Sequence, residues 1–196
     1  MVTCALGFFA STGRAVAVAV APGPELVGKW GMLLTPPGQE RFVYHAALEF
    51  DVDPEEWVRT SMENIGRATQ DAVDGVLAEL DGAPIGAAIV GKTIEMDLPV
   101  ADILASHTRL HTAEGVLYRS AIADALHARK VDTTLIAPDE LGDRSALDRF
   151  GKVPAPWRKE HKEAALAAAV LVSRGRASGR APATRTAPGA PRGRKA

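Results

Sequence analysis

The sequence predicts an α/β domain on a mixed five-stranded sheet: an antiparallel meander of three strands, then two parallel strands, with helices on both faces. Three observations carry this expectation. Two apolar runs near the start, the second of alternating Ala and Val, are separated by the turn residues Ser11, Thr12 and Gly13, which reads as a hairpin. Ile65, Ala68, Ala72, Val73, Val76, Leu77 and Leu80 recur at spacings of three and four, the period of a helix with one buried face. Beyond that helix, strands and helices alternate. Strands joined by returning helices pair in parallel.

In chain order, residues 3–9 form an apolar first strand and residues 15–20, "AVAVAV", a second. "PGP" at 22–24 turns the chain into a third strand over 25–34. Residues 41–50, "RFVYHAALEF", read as a further strand or extended edge segment. Asp53 is a helix N-cap, Pro54 suits the first helical position, and Glu55 and Glu56 favour the positive end of the helix dipole. That helix ends at Asp81 and Gly82. A short buried strand follows within 83–92. Residues 93–110 read as irregular or partly helical, 112–129 as a helix and 131–138 as a strand. A short helix and turn over 139–151 precede a last helix from about Pro156 to Ser173.

Hydrophobic residues make up 46% of the 196-residue chain and charged residues 24%, which suits one domain with a sizeable core. The single cysteine, Cys4, excludes an intramolecular disulfide and a cysteine-rich zinc cluster, and fits a reducing cytoplasm. The apolar start lacks the basic segment of a leader peptide, and Gly13 and Arg14 interrupt it before membrane-spanning length. The wealth of Ala, Val, Gly and Arg suggests a GC-rich source such as an actinobacterium or its phage. Seven of the 23 basic residues lie in 174–196 with no acidic residue, leaving 16 basic against 24 acidic in residues 1–173. The expected division is therefore a folded domain over 1–173 and a disordered basic tail over 174–196. A cationic arm of this kind binds phosphate backbones without sequence preference.

The opening "LGFFASTGRAVAVAV", the segment "HTAEGVLYRSAIADALHARKVDTTLIAP" and the closing "GKVPAPWRKEHKEAALAAAV" together resemble the ribonuclease H-like superfamily, and within it the RuvC-type Holliday-junction resolvases. The resemblance implies a three-layer ribonuclease H-like fold. It also implies nucleic-acid backbone cleavage by two Mg2+ ions held about 3.5–4 Å apart by converging carboxylates. Such carboxylates come from the first strand, from the strand after the first helix, and as a pair from the last helix. Here the first position falls on Phe9, or on Phe8 or Ala10, and the second on Val90, Gly91 or Lys92. Only the last helix keeps acids, Glu160 and Glu163, the candidate catalytic and metal-binding pair. Within "RKEHKE" they also read as an exposed, solvated helix start.

The leading expectation is a RuvC-like protein with a degenerate acidic site. It would act as a nucleic-acid-associated or partner-binding module, as a homodimer, with no membrane association and no cofactor. Lys152, Arg158, Lys159, Arg174, Arg176, Arg180, Arg192, Arg194 and Lys195 are the candidate phosphate contacts. The alternative is an active Mg2+-dependent endonuclease using Glu160 and Glu163. A lesser one is a nucleotide-binding protein using "GAAIVGKT" (86–93), which matches the phosphate-loop pattern but lacks a convincing helix after it.

His107 and His111 stand four apart, a spacing that suits a shared metal on a helix, with Glu114 the nearest further ligand. Their default reading is surface or packing histidines. Glu49, Asp51 and Asp53 alternate as if at a strand end and are the fallback for a displaced metal site. Trp30, Trp57 and Trp157 are read as core or interface anchors.

Overall fold

In the computed structural model, the described residues are 3–92 and 96–178, with side chains as far as 174. Strands β1 (Ala5–Ser11), β2 (Arg14–Ala21) and β3 (Glu25–Leu33) form the antiparallel meander. Strand β4 (Ala87–Val90) pairs in parallel with β1, and β5 (Thr133–Ile136) in parallel with β4, giving the order β3-β2-β1-β4-β5. Alternation along β1 sends Leu6 and Phe8 to one face and Ala5 to the other.

The first face is covered by α1 (Val43–Glu49), α2 (Pro54–Ala78), α3 (Val100–Leu104) and α4 (His107–Ala128). Leu6, Phe8 and Ile89 from the sheet meet Val43, Ile65, Val73, Ile103, Leu117 and Ile122 there. The opposite face is covered by α5 (Lys159–Ser178), whose Ala164, Ala165 and Ala168 lie on Ala5, Val18 and Val20. Gly7 explains the close approach: a methyl there would strike the Ala164 carbonyl. The long helix α2 starts where its caps predict, with the Asp53 carboxylate accepting the Glu56 N–H at 2.8 Å and Pro54 in the first turn.

Several expectations need correction. Residues 43–49 are a helix rather than a strand, because Val43, Tyr44, Ala46 and Ala47 are buried in helical rhythm and the Glu114 carboxylate accepts the N–H groups of Val43, Tyr44 and His45. Helix α4 begins at His107 instead of 112, capped by Ser106, whose hydroxyl accepts the Arg109 N–H. The segment after β5 holds two 3₁₀ turns, Pro138–Glu140 and Arg144–Phe150. Helix α5 starts at Lys159 and runs to Ser178, so Arg174 and Arg176 lie on a helix and not in a tail. Arg180, Arg192, Arg194 and Lys195 lie outside the described residues. No helix among the described residues is long and apolar enough to cross a membrane.

Candidate functional site

The carboxyl ends of β1 and β4 lie side by side, and the first turns of α5 pass over them. This is where the expected metal carboxylates would converge. Phe9 of β1 is half-buried here, packed against both apolar clusters beneath α5, including Ala164, Ala165, Leu166 and Ala167. Strand β4 ends in buried Val90, then Gly91 and exposed Lys92. Arg119 of α4 reaches the same strand end. Any Cβ at position 91 would stand 2.6 Å from its Cδ and 2.8 Å from its Nε, so no larger side chain fits unless Arg119 moves. Burial lowers the pKa of this guanidinium below its ordinary value.

On α5 the two glutamates part company. Glu160 is half-exposed, whereas Glu163 is buried, which corrects the solvated reading for that residue. Arg144, from the 3₁₀ turn that packs on α5, donates to Glu163 Oε1 at 3.1 Å, and Lys159 Nζ lies 3.8 Å from the same oxygen. The Arg144 hydrogen bond and the nearby Lys159 charge offset part of the cost of burying this carboxylate. Its neighbour His161 is also buried, beside Trp157 at 6.3 Å between ring centroids. Its Nδ1 has no hydrogen-bond partner among the described residues. Burial, and secondarily Lys29, lower its pKa below the usual imidazole value, which favours the neutral ring.

Two Mg2+ ions need several converging oxygen ligands. The described side chains at these positions are Phe9, Val90, Lys92, Arg119, the half-exposed Glu160 and a Glu163 paired with cations, so both carboxylates come from one helix and neither strand end supplies a third. Among the described residues, no group of three or more histidines, cysteines or carboxylates is placed to hold a metal ion.

Other expected sites are dispersed or used structurally. Ala87, Ala88, Ile89 and Val90 of the phosphate-loop match are strand residues, all buried, and residues 96–99 do not continue into a helix. They leave no loop of free N–H groups to cradle a phosphate. Glu49 ends α1 and Asp53 caps α2, so Glu49, Asp51 and Asp53 do not share a strand face. Trp30 donates to Glu79 at 2.7 Å and Trp57 to the Val43 carbonyl at 3.0 Å, and both pack on the core. Lys152, Arg158 and Lys159 are exposed around the start of α5, joined there by Arg144. Sequence reasoning missed Arg119 and Arg144. Arg144 sits in an irregular segment with no periodicity to direct it, and Arg119 is one of many charges on a helix.

This sheet order, with a lone helix over β1 on one face, defines a ribonuclease H-like architecture. Solved structures of RuvC share this form. The chain is similar to Thermus thermophilus RuvC in complex with a Holliday junction substrate, with a TM-score of 0.57 and 13% identity over 89% of this chain and 96% of that one. It is similarly related to another Thermus thermophilus RuvC structure, with a TM-score of 0.51 and 12% identity over 90% and 97% of the two chains. No protein-family model and no curated protein sequence matches the chain. The fold is thus RuvC-like and ribonuclease H-like.

Proposed function

We propose that this protein is a RuvC-like nucleic-acid-binding module whose two-metal centre has been lost. The observation that carries the reading is the Glu163 carboxylate, buried and held by Arg144 and Lys159, above strand ends that offer Phe9, Gly91 and Lys92. Both cations meet its Oε1, so a Mg2+ ion at this carboxylate would have to compete with their charge.

The surroundings of that site favour phosphate. Lys152, Arg158, Lys159 and Lys162 crowd the start of α5, and the similar Thermus protein has been seen with a Holliday junction substrate. Arg174, Arg176, Arg180, Arg192, Arg194 and Lys195 add further positive charge in the sequence that follows. Neutralised phosphates release counterions, so affinity falls with salt by about 0.9 log units per log unit of salt for each phosphate contact. Fluorescence anisotropy on a four-way DNA junction and on a duplex, at several salt concentrations, tests this. The combined change Lys152→Ala, Arg158→Ala and Lys159→Ala lowers the salt slope by roughly two to three if all three side chains meet phosphate. An unchanged slope removes these residues from the interface.

The competing reading, an active Mg2+-dependent endonuclease, draws on the two glutamates lying on the helix start that overhangs β1. Cleavage that disappears in Glu163→Gln would favour it. Pairing of two copies is a separate proposal, supported by exposed Leu33 at the end of edge strand β3 and by exposed Leu48 and Phe50. Light scattering at micromolar concentration tests it, with a single-chain mass as the refuting result.

A further inference from the structure

Among the described residues, Arg119 of α4 is a guanidinium without a partner. Its neighbours Tyr118 and Ile122 belong to the core, so this stretch of α4 presses on the sheet. The Arg119 side chain is half-buried, yet it makes no hydrogen bond and no ion pair with any described residue. Arg129, also half-buried and just past the end of the same helix, shows how this fold satisfies such a group. It pairs with the Asp74 carboxylate and donates to the carbonyls of Ala125 at 2.9 Å and Gln70 at 3.2 Å. Arg119 has no such surroundings. Glu114, earlier on the same helix, is engaged by the N–H groups of Val43, Tyr44 and His45.

Two glycines leave the room in which this side chain lies. A Cβ at position 91 would stand 2.6 Å from the Arg119 Cδ, and one at position 115 would stand 3.3 Å from its Nη1. Gly91 directly follows Val90, so the guanidinium is laid against the carboxyl end of β4, beside the carboxyl end of β1. Exposed Lys92 follows at the same strand end. In open α/β sheets, ligands enter the crevice outside the carboxyl ends of the strands. A half-buried cation that has lost water without gaining an acceptor costs stability, and the lowered pKa of Arg119 has the same cause. Arginine stays charged nonetheless, and its planar fork matches two oxygens of a phosphate.

We propose that Arg119 is the phosphate clamp of the β1/β4 cleft, taking a backbone phosphate of nucleic acid directly on its guanidinium, with Lys92 as the second cation. The inference rests on the nucleic-acid reading and deepens it by naming the point where the backbone enters the cleft. The incoming anion supplies the acceptors that the fold withholds from Arg119. A continuous backbone fits better than a free phosphate, because the positive charge continues onto the start of α5, which lies over β1 and β4 and is flanked by exposed Arg158 and Lys159.

The test compares the full wild-type chain with Arg119→Met by fluorescence anisotropy on a four-way DNA junction at several salt concentrations, and by thermal unfolding. Arg119→Met is expected to weaken junction binding about tenfold, the loss of a charge-assisted hydrogen-bond pair. The salt slope should fall by about 0.9, one phosphate contact. The thermal midpoint should hold or rise, because the variant removes an unpaired, half-buried charge. Arg67→Gln, which removes an exposed cation on α2, leaves binding as in wild type. Failure of the wild-type chain to bind the junction defeats both the nucleic-acid reading and this inference. Wild-type binding that Arg119→Met leaves unchanged defeats the inference alone. A lower midpoint accompanying weaker binding assigns Arg119 a structural role and also overturns it. The source of the phosphate is settled by following the Arg119 side-chain N–H resonance, which Arg119→Met removes. Junction DNA should perturb it at far lower concentration than inorganic phosphate, and the reverse order would overturn the proposal.

Discussion

Replacing Gly7 by alanine adds one methyl group where α5 rests on β1. That methyl would fall on the Ala164 carbonyl oxygen and stand 2.8 Å from the carbonyl carbon and 3.0 Å from the Ala168 nitrogen. Non-bonded carbons settle at about 3.5–4.0 Å, so the carbonyl carbon alone would demand a retreat of roughly 0.7–1.2 Å, and the nearer oxygen demands more. A gap of that order or larger forfeits at least about a quarter to a half of the dispersion energy of each contact it opens. The affected contacts join Ala164, Ala165 and Ala168 to Ala5, Val18 and Val20. Overpacking costs about 1–3 kcal/mol, and here the methyl meets backbone that cannot swing aside, so the expected loss is about 3 kcal/mol. For a chain of this size, each kcal/mol moves the midpoint by about 2–4 °C, so the drop is about 6–12 °C.

The control is Gly66 within α2, where an added Cβ meets nothing within 4 Å. Gly66→Ala should stabilise by about 0.5–1 kcal/mol through helix propensity alone. Thermal unfolding followed by circular dichroism measures both. A Gly7→Ala midpoint within 2 °C or so of wild type, on a scale of about 2–4 °C per kcal/mol, would refute the close-packed seat of α5. Equal damage from Gly66→Ala would show that the geometry at Gly7 is not the cause.

Glu114→Ala strips a buried acceptor from three N–H groups at the start of α1, and should cost roughly 3 kcal/mol in urea unfolding. Glu114→Gln, which keeps one acceptor oxygen, should cost less. His161 has a lowered folded pKa, so the unfolded chain binds more protons just below its own pKa of about 6.5. Its contribution to stability is therefore complete above that pH and is lost as the pH falls through the window beneath it. His161→Phe should flatten the fall in urea midpoint between pH 7 and pH 5, and an unaltered fall would assign the proton uptake elsewhere. Burial pushes the Tyr118 hydroxyl pKa up to about 12, so its phenolate absorbance should appear only near that pH while the fold persists. Comparison with Tyr118→Phe isolates this signal.

The sheet was readable because its signals are local. Gly13 and the 22–24 turn delimit the meander, and Asp53 with Pro54 places the start of α2 as observed. The aromatic and β-branched content of residues 41–50 suggests a strand. What makes them helical is a carboxylate about 70 positions away, on α4. Residues 107–111 were left out of α4 because only Leu110 among them is buried, although Ser106 is an N-cap type that could have been recognised. At the site, Phe9 and Gly91 stand at the strand ends where the sequence places them, whereas the burial of Glu163 is not legible in the sequence. That burial depends on the 3₁₀ turn carrying Arg144, whose docking onto α5 no periodicity announces.

The most direct measurement is cleavage of a labelled four-way DNA junction and an RNA–DNA hybrid by the full chain in Mg2+ and in Mn2+, beside Glu163→Gln. We expect binding without strand scission by either protein. Metal-dependent nicking by the wild-type chain that vanishes when Glu163 becomes glutamine would contradict the account.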